Sequence, residues 1–192
     1  AQGGLWAVPF DVEAGSLTGA AMPILEGVGL RFNTLSRFDV SRNGTLVYGL
    51  GGRTAGQAEA PSSQLVVVGF DGEEQVLPLA PRPLMGPRWS PDGEWIAYGG
   101  AEVGGNQDPF MIYVYNVELG TSPRRLTFEG GNWGPVWASD GGRVAFSAVR
   151  DSMQGRHLYV KSVNEDTPPE FLLAVSGRET PTQWLDGDRL VF

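Results

Sequence analysis

Apolar residues fall in short runs, cut at close intervals by Gly, Pro, Asn or Asp. Leu65-Val66-Val67-Val68, Ile96-Ala97-Tyr98, Met111-Ile112-Tyr113-Val114-Tyr115, Val144-Ala145-Phe146 and Leu158-Tyr159-Val160 have the length and the β-branched or aromatic content of strands. No segment sustains a helical period, and Gly or Pro interrupts nearly every window long enough for a helix. The pattern predicts an all-β chain of many short strands.

The strands come in a repeating order. Trp89-Ser90-Pro91-Asp92-Gly93-Glu94-Trp95-Ile96-Ala97-Tyr98 matches Trp137-Ala138-Ser139-Asp140-Gly141-Gly142-Arg143-Val144-Ala145-Phe146 without a gap. Val40-Ser41-Arg42-Asn43-Gly44-Thr45-Leu46-Val47-Tyr48 and Trp184-Leu185-Asp186-Gly187-Asp188-Arg189-Leu190-Val191-Phe192 are further copies, each one residue shorter. Asn43, Asp92, Asp140 and Asp186 stand 49, 48 and 46 residues apart. Asx-Gly between apolar runs marks a tight hairpin, because these residues tolerate the positive φ that such turns need. The first three copies are each followed by a longer strand and a closing edge strand. Four short strands at a period in the forties predict β-propeller blades of four antiparallel strands.

The motif Trp-Ser-Pro-Asp-Gly-x-x-Ile-Ala-Tyr, with Ile112-Tyr113-Val114-Tyr115-Asn116 and Arg124-Arg125-Leu126-Thr127-Phe128 behind it, resembles the WD40-like PD40 repeat of TolB-like β-propellers. The resemblance covers nearly the whole chain. Three kinds of protein carry this repeat: TolB itself, prolyl-oligopeptidase-like serine peptidases, and bacterial eukaryotic-like serine/threonine kinases with a propeller sensor. The segments Leu5–Asp11, Val40–Tyr48 and Pro87–Gly93 most resemble the kinase-linked group. The resemblance implies a non-catalytic binding or scaffold module that engages a protein or peptide across its channel face, outside the cytoplasm, in a larger bacterial protein. The alternatives are the accessory propeller of a peptidase, or a small closed ring that binds a small ligand. The expected division is half a blade at 1–28, blades at 29–80, 81–128 and 129–177, and the start of a further blade at 178–192. A segment of a longer propeller is preferred over a ring closed by its own two end pieces.

Charge and composition narrow the chemistry. The chain of 192 residues carries 14 Lys+Arg against 22 Asp+Glu, net −8. Such a surface opposes polyanions, so no nucleic-acid partner is expected. No apolar run reaches the roughly 18 residues of a membrane span, and no membrane contact by this segment is expected. Cysteine is absent, which removes disulfides and thiol chemistry. With one histidine, His157, and one lysine, Lys161, a multi-histidine zinc site and a P-loop are ruled out. No Gly-x-Ser-x-Gly elbow and no His-Arg-Asp or Asp-Phe-Gly motif occurs. No catalytic residue, metal or cofactor is expected.

Several residues invite a sharper reading. The Asp-Gly pairs read as turns, because each belongs to its own unit and they cannot converge on one ion. Asn43-Gly44-Thr45 fits a glycosylation sequon, but the hairpin turn already accounts for it. Trp89, Trp137 and Trp184 recur at one repeat position and read as packing between blades. His157 is expected at a strand edge or surface, and Lys161 in solvent. In a propeller, the loops between second and third strands share a face with the blade-to-blade connections. Arg31, Arg82, Arg88, Asp108, Trp133, Arg150 and Arg178 are assigned to that face as candidate partner-binding residues. Arginines there would suit an acidic peptide or a carboxylate, which a guanidinium grips with paired hydrogen bonds.

Overall fold

The turns organise the chain. Ser41 and Ser90 hydroxyls donate to Asn43 Oδ1 and Asp92 Oδ1. The same hydroxyls accept the N–H groups of Thr45 and Trp95, both at 2.9 Å. Asp140 Oδ1 accepts the Gly142 N–H at 2.8 Å, and this bond, with Arg143 beside it, holds the Asp140 carboxyl below the usual range. The glycine after each turn residue has positive φ: 83° at Gly44, 76° at Gly93 and 68° at Gly141. A side chain there would strain the backbone, which is why Asx-Gly recurs.

A computed structural model describes residues 4–26, 38–50, 63–101, 110–150, 153–186 and 189–192. Its elements are all strands. β1 (Gly4–Ala7) pairs with β4 (Met22–Glu26), and β2 (Phe10–Asp11) with β3 (Ser16–Leu17). Sheet I runs β5 (Phe38–Val40), β6 (Leu46–Leu50), β7 (Gln64–Val68), β8 (Glu74–Val76). Sheet II runs β9 (Leu84–Trp89), β10 (Trp95–Gly100), β11 (Met111–Asn116), β12 (Arg124–Arg125). Sheet III runs β13 (Asn132–Trp137), β14 (Arg143–Arg150), β15 (Met153–Ser162), β16 (Glu170–Ala174). A final hairpin joins β17 (Gln183–Leu185) to β18 (Arg189–Val191). Each complete sheet is an antiparallel meander of four strands in sequence order. Among the described residues no helix is long and apolar enough to cross a membrane.

The side-chain alternation of each central strand divides it between two cores. In β11, Met111, Tyr113 and Tyr115 pack with sheet I residues such as Val47 and Leu65. Its alternate residues Ile112 and Val114 pack with Val144, Phe146 and Tyr159 of sheet III. In β10, Ile96 and Tyr98 face the first core and Ala97 the second. A third core joins Leu46, Tyr48 and Val66 to Leu5 and Leu25 of the β1–β4 pair. The sheets therefore stack face to face in series. That arrangement explains why these strands read as continuous apolar runs rather than alternating ones.

Both inner strands β9 and β13 carry a bulge. The pairing register shifts between Ala97 and Gly99 opposite β9, and between Trp133 and Val136 in β13. Each bulge holds a glycine of positive φ followed by proline: Gly86-Pro87 and Gly134-Pro135. The glycine takes the left-handed backbone, and proline sits where no ladder N–H is required. This corrects the placement of Trp133. Its Gly-rich surroundings read as a blade-to-blade connection, but the strand continues through the bulge and Trp133 lies within β13.

Two further expectations are overturned. His157 is buried in β15, paired with β14 on one side and β16 on the other, and its Nδ1 accepts the Val175 N–H at 3.3 Å. Lys161 is likewise buried, and its ammonium donates to the Thr167 carbonyl. Both sit on β15, the third strand of its sheet, two residues to either side of Tyr159, which packs toward sheet II. The sequence pattern locates the strand but not its depth.

Candidate functional site

The inner strands converge. Residues of β5, β9, β13 and β17, with the turns that follow the first three, line one cleft of about 410 Å³. Asp39, Arg88, Val136 and Gln183 occupy the same repeat position there, each followed by the next strand residue Val40, Trp89, Trp137 or Trp184. Ser41, Ser90 and Ser139 mark the turn side of the cleft.

Hydrogen bonds link the inner strands in series. Asp39 Oδ2 accepts the Trp89 N–H at 2.8 Å, so sheet I is tied to sheet II. The Arg88 carbonyl accepts Trp137 Nε1–H at 3.0 Å, tying sheet II to sheet III. Arg88 Nη1 donates to the carbonyls of Phe38, at 3.4 Å, and Pro87, at 3.1 Å. Burial raises the Asp39 pKa above the usual carboxylate value, against the opposing pull of the Trp89 N–H and the Arg88 charge. Burial likewise lowers the Arg88 pKa, opposed by the charge of Asp39. Trp89 Nε1 is buried with no acceptor among the described residues. Trp184 lies half-buried with the Arg143 guanidinium 5.1 Å from its ring centroid.

Chemically, the cleft offers one carboxylate, the half-buried guanidinium of Arg88 and the exposed one of Arg42, hydroxyls and three indoles. Such a set suits amides and side chains of a bound chain: aromatic walls supply contact area and a few polar groups fix orientation. Among the described residues no group of three or more His, Asp or Glu could hold a metal ion.

The candidates assigned from sequence divide between the two ends of the inner strands. Arg88 is the correction: it lies in β9, next to the turn, and faces the cleft instead of the connection face. Its Gly-Pro bulge carries the strand further than the sequence suggested. Arg82 precedes β9, forms a backbone bridge with Ser63 and holds its guanidinium 5.1 Å from the Tyr113 ring. Arg150 ends β14. It donates to Asn132 Oδ1 and to the carbonyls of Glu129 and Val149, all at 3.0 Å, and lies 4.9 Å from the Tyr159 ring. Those bonds clamp the end of sheet III. Trp133 is half-buried and Arg178 exposed, both at that same end. Arg31 and Asp108 lie outside the described residues.

Sequence reasoning missed Arg156. Its guanidinium lies 3.8 Å from the Trp133 ring centroid, and burial together with the charge of Arg178 lowers its pKa. The signal was Gly155-Arg156-His157, which lies near the start of β15, a few residues after the candidate Arg150.

No protein-family model matches the chain. Over 99 residues it is 33% identical to the Tol-Pal system protein TolB of Alcanivorax borkumensis, covering 51% of this chain and 22% of that protein. It superposes on the crystal structure of TolB from Acinetobacter baumannii with a TM-score of 0.63 at 19% identity, covering 90% of this chain and 38% of that one.

The fold is that of a TolB-like β-propeller.

A prolyl endopeptidase structure shares it at a TM-score of 0.56 and 16% identity, over 82% of this chain and 25% of that one. In propeller terms β5, β9, β13 and β17 are the innermost strands, and the cleft they line faces the central channel. The chain spans only 22% of the Alcanivorax borkumensis TolB and 38% of the Acinetobacter baumannii TolB.

Proposed function

We propose that this chain is a non-catalytic β-propeller module that binds a peptide or protein partner across its channel face. One observation carries the proposal: residues from four successive inner strands line a single cleft, with indoles on its walls and Asp39 and Arg88 inside. The likeness to TolB over half of the chain supports a binding role. In this reading residues 29–80, 81–128 and 129–177 are blades, 1–28 is half a blade, and 178–192 begins another. The module would serve as the sensor or interaction region of a larger bacterial protein, such as a serine/threonine kinase.

The structural likeness to a prolyl endopeptidase favours a second reading, an accessory propeller that admits substrate to a separate hydrolase domain. An admitting channel has little need to hold a peptide, so affinity separates the two. A phage-displayed library of short peptides, panned on the purified chain, should yield binders with saturable affinity. Arg88→Gln should weaken them by about tenfold, the scale of a guanidinium hydrogen bond at an interface. Gln183→Ala, an exposed change at the same cleft, should weaken them less and keeps the test readable if Arg88→Gln disturbs folding. A library that yields no binder, or binders indifferent to both changes, would contradict the proposal.

A further inference from the structure

The other end of the inner strands carries an arrangement that folding alone does not explain. In a chain of net charge −8, Arg156 and Arg178 stand close enough for one charge to act on the other. Neither guanidinium forms an ion pair or hydrogen bond with another described residue. Arg156 lies against the half-buried face of Trp133, 3.8 Å from its centroid. The β15–β16 pairing fixes the rest: His157 stands opposite Ala174, and the Val175 N–H donates to His157 Nδ1, so the chain leading to Arg178 leaves β16 beside Arg156.

Two neighbouring cations with no counterion among the described residues repel each other, and an anion between them removes that cost. With its central carbon held over the indole, the guanidinium can still offer N–H groups to a carboxylate. We propose that Trp133, Arg156 and Arg178 form a binding site for the carboxylates of an acidic peptide segment. The site lies at the end of β13 opposite the cleft, and the proposal rests on the chain being a peptide- or protein-binding module. A long polyanion such as nucleic acid fits less well, because the chain's net charge of −8 repels it over many ångströms. A short acidic segment meets the arginines locally and adds apolar contact with Trp133.

The test is calorimetric titration of the full chain with acetylated hexaglutamate, beside hexaglutamine and free glutamate. Hexaglutamate should bind saturably and more weakly as salt rises, while the other two show at least about tenfold weaker binding. Arg156→Gln should weaken hexaglutamate about tenfold or more, and Arg178→Gln should weaken it measurably. Arg178 is exposed, so that variant should fold normally and keep the result readable. Absent binding, equal binding of hexaglutamine, or binding unchanged in the double variant would overturn the site. Equal binding of free glutamate would overturn the peptide assignment. If hexaglutamate fails while library-selected peptides still bind in the cleft, only this site falls. If neither binds, the binding-module reading falls with it.

Discussion

Trp89 and Trp137 hold the same repeat position and are almost equally buried, at 8% and 6% exposure, yet their indoles differ in one respect. Trp137 Nε1 donates to the Arg88 carbonyl of the neighbouring sheet, whereas Trp89 Nε1 has no acceptor among the described residues. Replacing either by Phe removes similar volume. Trp137→Phe should therefore cost about 1 kcal/mol more than Trp89→Phe in urea unfolding, the net worth of one buried hydrogen bond. Equal losses would mean that the indole bond between sheets carries no weight. At this scale the sequence was partly legible. The Asx-Gly turns could be read because turn chemistry is local: Asn43, Asp92 and Asp140 satisfy N–H groups within a few residues. The surroundings of His157, Lys161 and Arg88 could not, because burial depends on strands and sheets remote in sequence.

The strands illustrate the same division one level up. A run such as Met111–Asn116 announces a strand, and the repeat fixes its order in the sheet. That its odd and even residues enter different cores follows only from stacking sheets on both of its faces. The Gly-Pro bulges of β9 and β13 were not read from sequence, since Gly and Pro are also the usual marks of a loop. That ambiguity misplaced Trp133 and Arg88 along their strands. Position within a sheet also sets the cost of mutation. Phe146 of β14 is fully buried between sheets II and III, while Phe171 of the outer strand β16 is 50% exposed. Phe146→Ala should cost about 3–5 kcal/mol, and Phe171→Ala a small fraction of that. Chemical denaturation of the two variants checks it. A comparable loss at Phe171 would mean that β16 is covered by something else in solution.

At the scale of the molecule, stacked sheets bring distant repeat copies to one place. Asp39, Arg88, Val136 and Gln183 span most of the chain, yet all line the cleft, because each sits at the same point of an innermost strand. The repeat made that equivalence readable in advance. It did not reveal that position's direction, so the candidates assigned from sequence gathered on the connection face, and the cleft residues other than Arg88 went unassigned. The opposite end, where Arg156 joins Trp133 and Arg178, was reached in part for the same topological reason. Fold alone does not choose a partner, since propellers serve many functions. The choice has to come from occupancy of the site.

The six tryptophans make that occupancy directly visible. Trp89, Trp137 and Trp184 line the cleft, Trp133 stands at the far end of β13, and Trp6 and Trp95 lie outside the cleft lining. The decisive measurement is the indole N–H region of the nitrogen–proton correlation spectrum, recorded as a library-selected peptide is added. Binding across the channel face should move the Trp137 and Trp184 signals in proportion to saturation while Trp6 and Trp95 stay fixed. Saturation with the cleft indoles unmoved, or with shifts confined to Trp6, would contradict the channel-face binding module.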